Sequence, residues 1–178
     1  MEDPGLLEAD YALLVDAALE EDLGTGDLTT ECTVPAGLYL AARVRSKSGG
    51  VLSGRPLAER VFQSLAPDFE IEGCHDGEPL AAGQVALRLR GPGRALLSGE
   101  RVALNFLQRL SGIATLTARY VAAVAGTGVM ISDTCKTTPT LRRIEKYAVR
   151  CGGGTNHRSS LDSMLLVKEN HIAAAGSL

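Results

Sequence analysis

Residues 129–172 read VMISDTCKTTPTLRRIEKYAVRCGGGTNHRSSLDSMLLVKENHI. Val129 to Ser132 is a short apolar run of strand length. Thr138 is placed to cap a helix opened by Pro139, with Leu141, Ile144 and Ala148 facing inward. Gly152, Gly153 and Gly154 stop that helix, and Met164 to Val167 forms a second apolar strand. Strand, helix, strand implies a right-handed crossover and parallel pairing, so the class is α/β.

The ends of those two strands carry the chemistry. Asp133-Thr134-Cys135-Lys136-Thr137 leaves the carboxyl end of the first, and Lys168-Glu169-Asn170-His171 that of the second. In α/β folds such ends share the face where substrates bind, so Lys136 and Lys168 are expected to converge. The connection from the helix to Met164 exceeds the roughly two to six residues usual in such units. Its three glycines suggest a loop that folds back, brings backbone amides to an anion and turns His157 and Arg158 inward. Between Asp133 and His171, seven Lys and Arg face four Asp and Glu, a net of +3 inside a chain of net −3. A basic island of that size suits a small anion, and the acidic total argues against nucleic acid as a partner. Arg143, Lys146 and Arg150 are read differently, as a solvated helix face.

Before this run the pattern is α+β. Glu8 to Glu21 is read as a helix with Leu14, Ala17 and Ala18 inward, followed by a turn at Gly24–Asp27. Leu40–Val44, Phe69–Glu72 and Val85–Leu89 are strands, and Pro56 sits near the start of a short helix. A long helix is expected from Ser98, its N-cap, to Ala125, with Ser111-Gly112 bending or breaking it. Ala103, Phe106, Leu107, Leu110 and Ala114 form its core stripe, and Arg101, Asn105 and Gln108 a polar one. The boundary between the two patterns falls inside or just after this helix.

Bulk properties narrow the setting. No apolar run approaches the roughly 18 residues of a membrane span, and the acidic start Met1-Glu2-Asp3 is unlike a secretory signal. Cys32, Cys74, Cys135 and Cys151 lie far apart with no C-x-x-C, which indicates neither zinc nor a disulfide framework. A cytoplasmic location without membrane partners is the expectation.

Four motifs, GERVALNFLQRLSGIAT (99–115), DTCKTTPTLRRIEKYAV (133–149), GGGTNHR (152–158) and LLVKENHI (165–172), closely resemble quinolinate phosphoribosyltransferases in order and spacing. EEDLGTGDLTT (20–30) fits the same family. The resemblance implies an N-terminal α/β sandwich domain over 1–115 and the first part of an open α/β barrel over 116–178. It implies transfer of phosphoribose from phosphoribosyl pyrophosphate to quinolinate with loss of CO₂, giving nicotinate mononucleotide for NAD synthesis. It also implies Mg²⁺ and a homodimer or higher homo-oligomer. Arg158 matches a quinolinate-binding arginine with His157 beside it, and Arg101 one that reaches the neighbouring subunit's site. Lys136 and Lys168 match lysines that meet carboxylate or phosphate groups, and Thr137 lies beside them in the motif.

Two departures from the family pattern stand out. Cys135 replaces an arginine of the quinolinate clamp, and Thr140 replaces the usual glycine. A thiol has no guanidinium fork; losing hydrogen bonds to a charged group costs about 1.5–3 kcal/mol, one to two decades of binding. The sequence also stops at Leu178, before the acidic residues and glycine-rich loops the family places around ribose and Mg²⁺, so little activity is expected of this chain alone. Three alternatives follow: a related phosphoribosyltransferase taking a monocarboxylate such as nicotinate, the similar protein found with molybdate transport, and a non-catalytic relative that pairs with a full-length subunit. A lipoyl-type carrier hairpin around Asp76–Val85 fails, because no lysine lies between Lys47 and Lys136.

Overall fold

Alternating apolar and charged residues build the sheet that the rest packs on. The computed structural model describes residues 5–176; the acidic start Met1–Asp3 and the end at Leu178 lie outside them. In chain order the elements are α1 (Ala12–Leu23), α2 (Leu28–Thr33), β1 (Tyr39–Arg45), β2 (Gly50–Val51), α3 (Arg55–Leu65), β3 (Glu70–Gly73), β4 (Pro79–Leu80), β5 (Val85–Pro92), α4 (Gly93–Ala123), α5 (Arg142–Cys151) and α6 (Glu169–Ala175). β5 is central in the antiparallel order β1-β5-β3, and β2 pairs with β4 apart from it. Leu87 and Leu89 of β5 are buried, whereas Arg88 and Arg90 face water opposite Glu72 and Glu70 of β3. Those opposite charges pin the register on the wet face while the leucines pin it on the dry one.

Helices cover the dry face. α3 contributes Leu57, Ala58, Val61 and Phe62, and α4 contributes Leu96, Val102, Ala103, Leu107 and Leu110. Ile144 and Ala148 of α5 join the same buried cluster, so one core runs beneath both sequence patterns.

Several expectations are corrected. β5 feeds directly into α4, which starts at Gly93 and not at Ser98. The Ser98 hydroxyl instead donates to Asp27, whose other carboxylate oxygen accepts from the Thr30 amide and caps α2. α2 itself was hidden by its brevity. α4 also runs unbroken through Ser111-Gly112, where the Ser111 hydroxyl accepts from the Ser53 amide and donates to the Ser53 carbonyl. In α1 the inward stripe is Tyr11, Val15 and Leu19; Leu14 and Ala18 flank it and Ala17 is exposed.

The largest correction concerns the two apolar runs of the C-terminal third. Neither Val129–Ser132 nor Met164–Val167 forms a strand here. Val129, Met130 and Leu165 are 60%, 77% and 95% exposed. A parallel strand persists only where neighbours accept its N–H and C=O groups. Among the described residues a single parallel bridge, Ser132 to Thr155, supplies that. No helix described is long and apolar enough to cross a membrane.

Candidate active site

α5 organises this region. It starts later than the sequence suggests, at Arg142, with no side-chain cap from Thr138. Before it, the Leu141 amide donates to the Thr138 carbonyl, closing a turn that puts Thr140 at φ +70°. Thr140 is the one non-glycine residue with positive φ among those described. Glycine, which the family resemblance implies here, takes that conformation without penalty.

Thr138 serves the site from another direction. Its amide donates to Glu145 Oε2 at 3.2 Å, and Arg109 of α4 donates both to Glu145 Oε1 and to the Thr138 hydroxyl. Burial works to raise the Glu145 carboxyl, but the hydrogen bonds from Arg109 and Thr138 outweigh it and hold it below its ordinary value.

Lys146 is not on a solvated face. It is buried, and its Nζ donates to Asp133 Oδ1 at 2.5 Å and to the His157 carbonyl at 3.0 Å. The Asp133 carboxylate also accepts from the His157 amide at 2.8 Å and from Asn156 Nδ2 at 2.6 Å. One helical turn earlier, Arg142 donates to the Cys135 carbonyl, the Thr137 hydroxyl and the Ser159 carbonyl, at 3.2, 3.1 and 3.1 Å. Residues 133–137 and 157–159 are therefore laid beside each other by side chains of α5. Arg143 and Arg150 stay near the surface, Arg143 pairing with Asp10 and Arg150 meeting Asn156 and the Tyr147 ring.

The glycine run has a different purpose from the one its composition suggests. The Gly153 amide donates to the Arg150 carbonyl and the Gly154 amide to the Val149 carbonyl, a Schellman closure with Gly153 at φ +83°. A Cβ on Gly152 would lie 2.3 Å from the Ala114 carbonyl oxygen. These amides finish a helix packed tightly on α4; they do not cradle an anion.

The residues singled out from sequence fall into three groups. Cys135, Lys136, Thr137, His157 and Arg158 lie on the two stapled segments. The side chains of Lys136 and His157 are exposed and make no hydrogen bond or ion pair among the described residues, and Arg158 donates only to the Met164 carbonyl, at 3.1 Å. Lys168 precedes α6, and its amide donates to His171 Nδ1; no bond among the described residues joins it to Lys136. Arg101 lies apart, paired with Asp22 at 2.8 Å beside a concavity of about 240 Å³ next to the Gly24–Asp27 turn. A second concavity, about 370 Å³, is lined by Val121, Val124, Met130 and Ile131 among others, and includes none of these cations. Sequence reasoning missed Asp133, Arg142, Glu145, Lys146 and Asn156 as the frame of the site; the helical spacing of Arg142 and Lys146 was the one signal available.

Comparison with known proteins matches this geometry to a family. The chain matches the quinolinate phosphoribosyl transferase N-terminal domain over residues 27–111 and the C-terminal domain over 113–178. It is 46% identical over 159 residues to a probable nicotinate-nucleotide pyrophosphorylase [carboxylating] of Bacillus subtilis, covering 89% of this chain and 55% of that protein. It is 44% identical over 168 residues to the Mycobacterium leprae nicotinate-nucleotide pyrophosphorylase [carboxylating], covering 90% and 58%. The crystal structure of NadC from Streptococcus pyogenes superposes with a TM-score of 0.93 at 41% identity, over 99% of this chain and 63% of that one. The chain thus spans about half the length of the curated relatives it matches. Both domain matches, these identities and the shared α/β fold place the chain in the quinolinate phosphoribosyl transferase family.

Proposed function

We propose that this chain carries the quinolinate-holding part of a phosphoribosyltransferase that makes nicotinate mononucleotide from quinolinate and phosphoribosyl pyrophosphate. The observation supporting this most strongly is the pinning of 133–137 against 157–159, which sets Lys136 and Arg158 on neighbouring segments with no carboxylate partner of their own among the described residues. Cations without a carboxylate partner suit a ligand with two carboxylates, Arg158 offering a planar fork and Lys136 a point charge. His157 and Thr137 flank them as further donors. Lys168 meets a carboxylate or phosphate group in this reading, and Arg101 reaches the site of a second copy in a homodimer.

Phosphoribosyl transfer builds oxocarbenium character at the anomeric carbon, as glycoside cleavage does. These side chains hold the pyridine nitrogen in line and stabilise charge on departing pyrophosphate. The carboxylate beside the new pyridinium then leaves as CO₂; the bond pair stays on the ring carbon, stabilised by the adjacent N⁺, and a proton from solvent converts it to the C–H of nicotinate mononucleotide. Magnesium belongs to the family reaction, but no three His, Cys, Asp or Glu side chains gather to hold a metal among the described residues. The cytoplasm is the proposed location.

Titration of the chain with quinolinate and with nicotinate, beside Cys135→Arg, tests the reading. Quinolinate should bind more tightly than nicotinate, and the arginine variant should tighten quinolinate by about one to two decades. Equal binding of the two acids would favour the monocarboxylate enzyme. No effect of Cys135→Arg would remove position 135 from the clamp.

A further inference from the structure

We propose that Arg142 and Lys146 are positioning residues: two cations one turn apart on α5 that fix the separation of residues 133–137 and 157–159 without touching the ligand. The proposal rests on reading those segments as a dicarboxylate clamp.

Residues i and i+4 of a helix project side by side, so the pair addresses two points of one seam. At one point Lys146 and Asp133 hold His157 by both backbone groups, its carbonyl and its amide. At the other, three nitrogens of Arg142 reach Cys135, Thr137 and Ser159. The backbone is thereby pinned on both sides of Arg158, and Lys136 is held between the Cys135 carbonyl and the Thr137 hydroxyl, while those two heads carry no carboxylate partner among the described residues. Held flanks with charged heads that lack a carboxylate partner are what a preorganised anion clamp requires.

Stability alone gives a poor account of this arrangement. The Lys146 and Asp133 side chains are 4% and 7% exposed, and replacing a buried ion pair with apolar residues often leaves stability unchanged or higher. Arg142 is exposed, where ion pairs and hydrogen bonds add little. Both residues spend their donors on acceptors belonging to the two segments.

The test compares Arg142→Met, Arg142→Lys and Lys146→Met with the parent 178-residue chain by thermal midpoint, quinolinate affinity and hydrogen exchange across both segments. Arg142→Met should keep a near-parental midpoint, weaken quinolinate by roughly tenfold or more, and speed exchange in 133–137 and 157–159 by about as much. Arg142→Lys should not restore affinity, because one ammonium nitrogen cannot span acceptors that the guanidinium reaches with three separate nitrogens. A merely structural role would lower the midpoint and leave the affinity of folded protein at the parental value. Parental affinity and parental exchange in Arg142→Met would overturn the proposal even if Lys146→Met does not fold. If the parent itself fails to bind quinolinate, the substrate reading falls, and exchange in the two segments still decides whether the cations hold them.

Discussion

Replacing Thr140 with glycine should make the protein more stable, and the size of the gain follows from one backbone angle. Thr140 sits at φ +70°, in the left-handed region. That conformation costs an L-residue about 1–2 kcal/mol, and a β-branched residue fits it worst. Glycine removes the penalty but gives the unfolded chain more freedom, a loss of about 0.5–1 kcal/mol. The Thr140 side chain is exposed and makes no hydrogen bond among the described residues, so no contact is forfeited. The net is about 0.5–1 kcal/mol of stabilisation, or a melting point higher by roughly 1–4 °C at this chain length. Thermal melts, checked by urea midpoints at unchanged m value, measure it. Thr140→Val keeps the branched Cβ and should give no gain. A glycine variant that melts at or below the parent temperature would show that residue 140 is not left-handed, and with it that the entry into α5 is wrongly understood.

Three further perturbations test the frame around the site. Glu145 titrates below its ordinary value in the folded state, so its contribution is present above the unfolded carboxyl pKa and is lost as pH falls through the folded one. Melting points from pH 6 to pH 3 should therefore fall less steeply in Glu145→Gln than in the parent. Asp76 accepts from the Gly54 and Arg55 amides at the start of α3 and from the Tyr147 hydroxyl at 2.9 Å. Asp76→Ala should cost about 2–3 kcal/mol in urea unfolding and Tyr147→Phe about 1 kcal/mol. Gly152→Ala places a Cβ against the Ala114 carbonyl and should destabilise by about 1–3 kcal/mol while leaving α5 helical by circular dichroism.

The N-terminal part was legible because its signals are local. The alternation in Leu40–Val44 and Val85–Leu89 and the stripe from Ala103 to Ala114 each report burial directly, and β1, β5 and α4 carry them. Two boundaries escaped because a tertiary contact used the capping residue: Ser98 serves Asp27, and Thr138 serves Arg109 and Glu145. Lys146 escaped for a related reason. A helix lysine beside Glu145 and near Arg142, Arg143 and Arg150 reads as a solvated charge unless its partner is known, and that partner, Asp133, comes from before the helix. The apolar runs at Val129 and Met164 show the converse. Composition reports strand propensity, but a parallel ladder also needs neighbours, and among the described residues only Thr155 supplies one. The charged candidates were chosen from expected strand ends and from the family motifs; the frame of side chains around them became visible only in three dimensions.

Backbone amide shifts recorded during a quinolinate titration test the central claim most directly. Binding between the stapled segments should move the signals of residues 134–137 and 156–159 and leave the groove from Val121 to Ile131 unperturbed. Shifts confined to that groove, or none at millimolar quinolinate, would contradict it.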